Sequence, residues 1–324
     1  MTRGAIVCFH SVTTAALPSA GSAHVSVDAF KWFVRTARGL GEIVPLSELV
    51  RRHTQGRSTA GLIAVTFDDA YAAILTELKD FISAQALPIA VFAVTGAAAR
   101  GGRFWWDRIE DVFPHVTPER WLEFEAACGV SDAYRQGQPT EHGPLRPLRQ
   151  WLLAADAGRW SHDLEPALHA LERETGYETV HRSMTFDELA TLASLPEVEI
   201  GVHTVSHPVL PLLADAELGR EIELAHDALR ARFATVLPML AIPFGLFDRR
   251  TLRVARAAGM VASLTLAGTR HEAGVDAAAL PRICVTKDDG AVRLGLRLLG
   301  LPDLVRSWSG RAHVAYPELP SPTS

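Results

Sequence analysis

Two segments place unusual polar residues at the end of an apolar run. The first is Ile63-Ala64-Val65-Thr66-Phe67-Asp68-Asp69, with two adjacent carboxylates at the mouth of a buried strand. Burying carboxylates is costly unless something pairs with them. A metal ion resolves the cost: one carboxylate coordinates it, and the other stays close enough to take a proton from metal-bound water. The competing assignment is a helix N-cap, since Asp is favoured there and Ala70-Tyr71 opens a helical stretch. One Asp fits a cap; two do not. The second segment is Val198-Glu199-Ile200-Gly201-Val202-His203-Thr204-Val205-Ser206-His207-Pro208. Histidines four apart present both imidazoles to one ion if the segment turns as a single helical turn. Two His and one carboxylate leave positions open for water and substrate, which marks a catalytic centre rather than a structural one.

Two further strand ends carry weaker signals: Phe9-His10-Ser11, and Ile242-Pro243-Phe244-Gly245, which alone reads as a turn. Their value is positional, because something must bring these ends to one face. Short apolar runs near 4–9, 42–45, 61–67, 89–94, 197–202, 239–244, 260–266 and 280–285 alternate with helical segments near 27–40, 47–54, 71–86, 185–194, 214–232, 248–258 and 288–299. Thr185-Phe186-Asp187-Glu188 is a capping box, so its acids are helix-start residues. The expected fold is α/β, a distorted (β/α) barrel of seven or eight strands built from residues 1–102 and 183–310. Residues 103–182 break the alternation with five of the seven Trp and read as a helical insertion after the fourth strand. Such an insertion leaves from the face on which barrel enzymes build their sites. It is expected as a lid or substrate wall, or else as an annex packed away from the site. Residues 311–324 read as a flexible tail.

Composition excludes some classes. A net charge of −5 with no basic run lacks the footprint of a nucleic-acid binder. Three cysteines without a CxxC pattern point to a reducing compartment, with Cys8 and Cys284 expected as buried core thiols. Ala5-Ile6-Val7-Cys8-Phe9 is strand-length and too short for a secretory signal, and no apolar window spans a membrane, so the expected location is cytoplasmic.

Taken together these segments resemble the polysaccharide deacetylase family, the NodB-homology carbohydrate esterases. Thr66-Phe67-Asp68-Asp69 is similar to its first motif, His203-Thr204-Val205-Ser206-His207 to its second and Ile242-Pro243-Phe244-Gly245 to its third. Cys8-Phe9-His10-Ser11-Val12 resembles the Tyr-His-Ser-Val start of a branch whose last motif stands at the N-terminus, and Leu280-Pro281-Arg282-Ile283 matches a family ending. The resemblance implies a metal, most often zinc, held by Asp69, His203 and His207. It implies Asp68 as general base, the Phe244 backbone N–H as oxyanion donor and His10 as general acid. Expected substrate-binding residues are Trp106, Pro243 and Tyr71. The chain departs from the family in having Ala70 where Gly is common and Ala241 where an Arg braces the catalytic Asp. Arg282, at the end of another strand, is the expected replacement brace.

The implied activity is removal of an acetyl group from an N-acylated amino sugar or a related intracellular compound, by attack of metal-bound water. Two alternatives draw on the same residues: a non-haem iron oxygenase using the two-His-one-Asp triad, and a sugar-binding protein of the same fold without catalysis.

Overall fold

In the computed structural model the described residues are 4–14, 23–130, 164–266 and 276–287, with isolated positions at 145, 148, 151–153, 289, 294–295 and 297–298. Parallel strands β1 (Ala5–Phe9), β5 (Leu62–Phe67), β6 (Ile89–Ala93), β7 (Val198–Val202), β8 (Met239–Ala241) and β9 (Ala262–Thr265) lie side by side in that order. Closure comes from the segment β10 (Leu280–Pro281) and β11 (Ile283–Cys284). Its first half pairs with β9 and its second half with β1, so one stretch of chain joins both edges of the sheet. Arg282 sits at the switch, its N–H bonded to Thr265 O at 2.9 Å. The short β4 (Glu42–Ile43) pairs with the lower part of β5, below the register where β6 pairs. This is the expected (β/α) barrel, with its distortion localised at these two places.

Burial on both faces explains the nearly continuous apolar strands, and period-2 alternation sorts their side chains. Val7, Phe9, Ile63, Val65, Phe67, Val91, Ile200, Val202 and Leu240 pack outward against the helices. Ile6, Ala64, Ala90, Phe92, Met239, Ala241, Ala262, Leu264 and Leu280 form a second, inner cluster with Leu46, Leu49 and Val50 of the helix Leu46–Thr54. That helix covers the N-terminal ends of the strands. Gly201 faces this interior because a Cβ there would lie 2.4 Å from the Phe92 ring. Continuing the alternation towards the strand C-termini turns Cys8, Thr66, Gly201, Arg282 and Cys284 inward, and the site stands on that layer.

Several boundaries differ from the sequence expectation. The run at 239–244 ends as a strand at Ala241, because Pro243 cannot donate to a ladder and Phe244 takes a left-handed backbone (φ 57°). The helix expected over 71–86 is a π turn, Ile74–Leu78, followed by the α-helix Lys79–Ala84. A small parallel pair, β2 (Ser11–Thr13) and β3 (His24–Ser26), was not expected. The helix expected near 288–299 falls largely outside the described residues, as does the tail. The capping box at Thr185 is present, with both reciprocal hydrogen bonds.

The insertion carries helices Trp105–Val112, Pro118–Ala127 and Leu164–Thr175 around a core of its own that includes Trp105, Ile109, Trp121, Phe124, Leu168 and Leu171. A buried ion pair, Arg108 gripping both Glu172 oxygens at 2.6 Å, ties the first of these helices to the last. It is therefore an annex with its own packing, and its edge residue Trp106 reaches the barrel mouth. Among the described residues no helix is long and apolar enough to cross a membrane.

Candidate active site

Asp68 and Asp69 leave the top of β5 in different directions and meet different partners. Neither is a helix N-cap. The Asp68 carboxylate is gripped by both terminal nitrogens of Arg282, Nη1 to Oδ1 and Nη2 to Oδ2, each at 2.7 Å. Both side chains are buried, and Arg282 also reaches Thr66 Oγ1 at 3.3 Å. Burial alone would push Asp68 up, yet Arg282, then His203 and His10, hold it well below the usual carboxylate range. Burial would likewise lower Arg282, and the Asp68 charge raises it instead. The Cys8 thiol donates to Asp68 Oδ2 at 3.4 Å.

Asp69 turns to the histidines. Its Oδ1 lies 3.5 Å from His203 Nε2 and 3.5 Å from His207 Nε2, and this buried oxygen has no hydrogen-bond partner. His203 Nδ1 is 2.8 Å from Ala241 O. A carbonyl only accepts, so Nδ1 carries a proton and Nε2 is the ring nitrogen turned to Asp69, the orientation a carbonyl partner imposes on metal-ligating histidines. Burial takes His207 down to about 3, with the Asp69 charge opposing and His203 adding to the shift. Near neutral pH that imidazole is uncharged, with a lone pair to give. An orphaned carboxylate oxygen and two nitrogens within 4.8 Å of one another form a donor set that fits a divalent cation.

The two histidines do not lie on one helical turn, contrary to the sequence expectation. His203 is the next inward position after β7, and the chain then bends irregularly with left-handed backbone at Thr204 (φ 65°) and His207 (φ 56°). Glu221 pins this loop, accepting from the Val205 and Ser206 N–H groups at 3.0 and 2.9 Å and from Ser206 Oγ at 2.7 Å. Of the six non-glycine residues with left-handed backbone among the described residues, five belong to these strand ends: Asp69, Ala70, Thr204, His207 and Phe244. Each costs of order 1–3 kcal/mol, so such clustering marks a site whose geometry the surrounding structure enforces. Ala70 holds a left-handed backbone (φ 51°), a conformation that Gly would adopt without strain. Its carbonyl accepts from Met184 N–H at 2.7 Å, and Ser183 Oγ donates to Asp69 O at 3.2 Å. The segment leaving the insertion thus clips the turn after the Asp pair.

Trp106 and Phe244 line the mouth. The Phe244 ring lies 4.4 Å from His207, centroid to centroid, Trp106 lies 4.9 Å from His207, and Trp106 stacks on Phe104 at 4.6 Å. The Trp106 indole N–H donates to Tyr71 Oη at 2.9 Å, and Tyr71 donates to Asp107 Oδ2 at 2.5 Å. Asp107 Oδ1 pairs with His24 Nε2 at 2.9 Å. Tyr71 is 1% exposed and its hydroxyl is committed twice over, so it stands behind Trp106 as a support rather than facing substrate. Pro243 is likewise buried, in the turn that presents Phe244. His10 follows β1 on the inward side. Burial opposes its charge, but the Cys284 side chain and the Asp69 and Asp68 carboxylates raise it to about 9. Glu221, Ser183 and the His24–Asp107 pair had no motif to betray them.

The Arg282 grip carries a stability prediction. Arg282→Met leaves the Asp68 charge buried without a partner and should cost about 3–5 kcal/mol in urea unfolding. In the wild type the depressed carboxyl contributes stability in full above its unfolded value near ~3.9, lost as pH falls toward the folded value. In Arg282→Met the carboxyl loses its main cause of depression, so the stability deficit against wild type should be largest above ~3.9 and shrink as pH falls and Asp68 takes up a proton. Arg282→Lys, which keeps the charge but not the fork, should fall between the two. A wild-type urea midpoint in Arg282→Met would refute the grip.

Residues 161–263 match the family model described as Polysaccharide deacetylase. The matched stretch holds the His203–His207 and Pro243–Gly245 segments, and the Asp pair lies before it. With the barrel and the order of these strand ends, the match bears out the resemblance of this chain to the polysaccharide deacetylase family. No curated protein matches it in sequence. Among solved structures it is similar to the deacetylase PplD of Streptococcus pyogenes, in complex with acetate (TM-score 0.59, 12% identity, 91% of this chain and 98% of that one). It is also similar to IcaB of Ammonifex degensii (0.60, 14%, 92% and 97%). A de-N-acetylase of Aggregatibacter actinomycetemcomitans aligns as well (0.56, 12%, 91% and 99%). At these identities the likeness speaks for the fold.

Proposed function

We propose that the protein is a metal-dependent deacetylase that hydrolyses the N-acetyl group of an amino sugar, with zinc as the metal. The observation that carries this reading is the division of labour between adjacent carboxylates, Asp69 turned to two imidazoles and Asp68 gripped by Arg282. The family's deacetylase activity and the de-N-acetylase among the similar folds support the bond chosen. An intracellular substrate is part of the proposal, supported by three cysteines of which none is in a disulfide.

Asp69, His203 and His207 would hold the ion, which when bound supplies Lewis acidity towards the acyl oxygen and lowers the pKa of water towards ~7. Asp68 accepts the proton of the attacking water, and the Arg282 fork fixes its orientation. The Phe244 N–H, in a turn set by Pro243 and Gly245, is the assigned donor to the developing oxyanion; one such donor is typically worth about 3 kcal/mol. His10, protonated at neutral pH, gives its proton to the departing amine. Trp106 offers a half-buried aromatic face beside His207 for the sugar ring. Acetate release from N-acetylglucosamine oligomers tests the reading. The zinc-loaded protein should release it, a chelator should abolish the release, and zinc should restore it. Zinc-loaded, folded protein that binds the oligomers without releasing acetate would favour the sugar-binding alternative.

A further inference from the structure

We propose that Cys8, His10 and Cys284 form a second metal site, for a soft or borderline divalent cation, whose occupation shuts the neighbouring centre. The strand register creates it. β1 and β11 pair in parallel with Cys8 opposite Cys284, both turned into the barrel, and His10 follows on the same side two residues further along. One donor atom from each lies within 4.8 Å of the other two, as close as in the Asp69–His203–His207 group, and among the described residues these are the two such groups. His10 Nδ1 is buried without a hydrogen-bond partner. Cys8 is fully buried, whereas Cys284 and His10 are half-buried and give the cation a way in. The pair is therefore not two separate core thiols, as their flanking sequences imply.

Donor chemistry separates the two sites. Two sulfurs and one nitrogen select zinc, cadmium or cobalt, and exclude magnesium or calcium. The Asp69 site contains no sulfur. Binding needs both sulfurs as thiolates and His10 as neutral imidazole, so whatever protons these three groups carry on their ligating atoms pass to solvent as the two metal–sulfur bonds and the metal–nitrogen bond form. It withdraws the thiol proton that Cys8 donates to Asp68 and engages the His10 imidazole. The inhibitory consequence rests on the function proposed above; the site itself does not.

Cobalt titration of the metal-free, phosphine-reduced full chain reads the site through the thiolate-to-cobalt charge-transfer band in the near ultraviolet. The band should saturate at one sulfur-bound cobalt per chain, persist in His203→Ala,His207→Ala, and disappear in Cys284→Ser. Zinc should also protect Cys8 and Cys284 of the wild type from alkylation, a readout that needs no variant. Zinc beyond the first equivalent should abolish acetate release by the wild type and not by Cys284→Ser. Absence of the sulfur band in fully reduced wild type, or its survival in Cys284→Ser, overturns the site. If no acetate is released at any zinc level, the deacetylase reading fails while the cobalt band still decides this one.

Discussion

A His203→Ala,His207→Ala protein should carry one zinc per chain fewer than the wild type, any zinc it keeps being sulfur-bound, and should release no acetate. Three donors converge in the native site, and the double substitution leaves Asp69 alone. One carboxylate does not hold zinc against bulk water at ordinary concentrations, because affinity in such centres comes from several pre-placed ligands. The loss should come without collapse of the barrel. The His203 side chain makes one hydrogen bond, to Ala241 O, so the sheet's own bonds are kept, while the buried Asp69 carboxylate loses both neighbours and some stability goes with them. Elemental analysis beside circular dichroism separates loss of metal from loss of fold. Zinc retained in full by a folded double variant would place the metal elsewhere. Iron at full occupancy in the wild type would instead favour oxygen chemistry on the same triad.

Asp68→Asn should lower kcat by roughly 10²–10⁴-fold, the usual worth of a positioned general base, while zinc content and KM stay close to wild type. The split matters, because Asp68 is also the counter-ion of a buried Arg. A merely structural Asp68 would lower stability and leave turnover per folded, zinc-loaded molecule intact. A catalytic one lowers kcat even in molecules that fold and bind zinc. Asn keeps the shape and one acceptor oxygen but turns an N–H group towards the Arg282 fork, so some stability loss is expected too. Urea unfolding measured on the same samples keeps the two effects apart. Unchanged kcat in folded, zinc-loaded Asp68→Asn would remove the general-base assignment.

Much of this site is legible in the sequence because barrel strands aim their chemistry. An apolar run followed by Asp68-Asp69, by His203 or by His10 places that residue at a strand's C-terminal end, and a parallel barrel gathers such ends on one rim. Arg282 is legible for the same reason, as the polar residue that continues the inward alternation of the last strand. What sequence does not show is what lies across the fold. Glu221 sits in the helix Asp215–Arg230 and reads as one more solvated acid, though it fixes the histidine loop. Tyr71, Asp107 and His24 come together from three separate segments. The four-residue spacing of the histidines misleads about geometry, because Thr204 and His207 adopt backbones that propensity does not forecast. Cys8 and Cys284 become neighbours only through strand register.

The closure at Arg282 has a consequence for how the protein is made. Asp68 and the arginine that neutralises it are 214 residues apart in the chain. At ribosomal rates of ~5–20 residues per second, Arg282 is synthesised roughly 10–40 s after Asp68. For that interval the nascent sheet lacks the segment that joins β9 to β1, and its inner carboxylate has no counter-charge. Native burial of Asp68 must therefore await synthesis of Arg282. Folding of this barrel should be a late, concerted event on the ribosome, and a nascent chain halted before Arg282 should remain sensitive to protease.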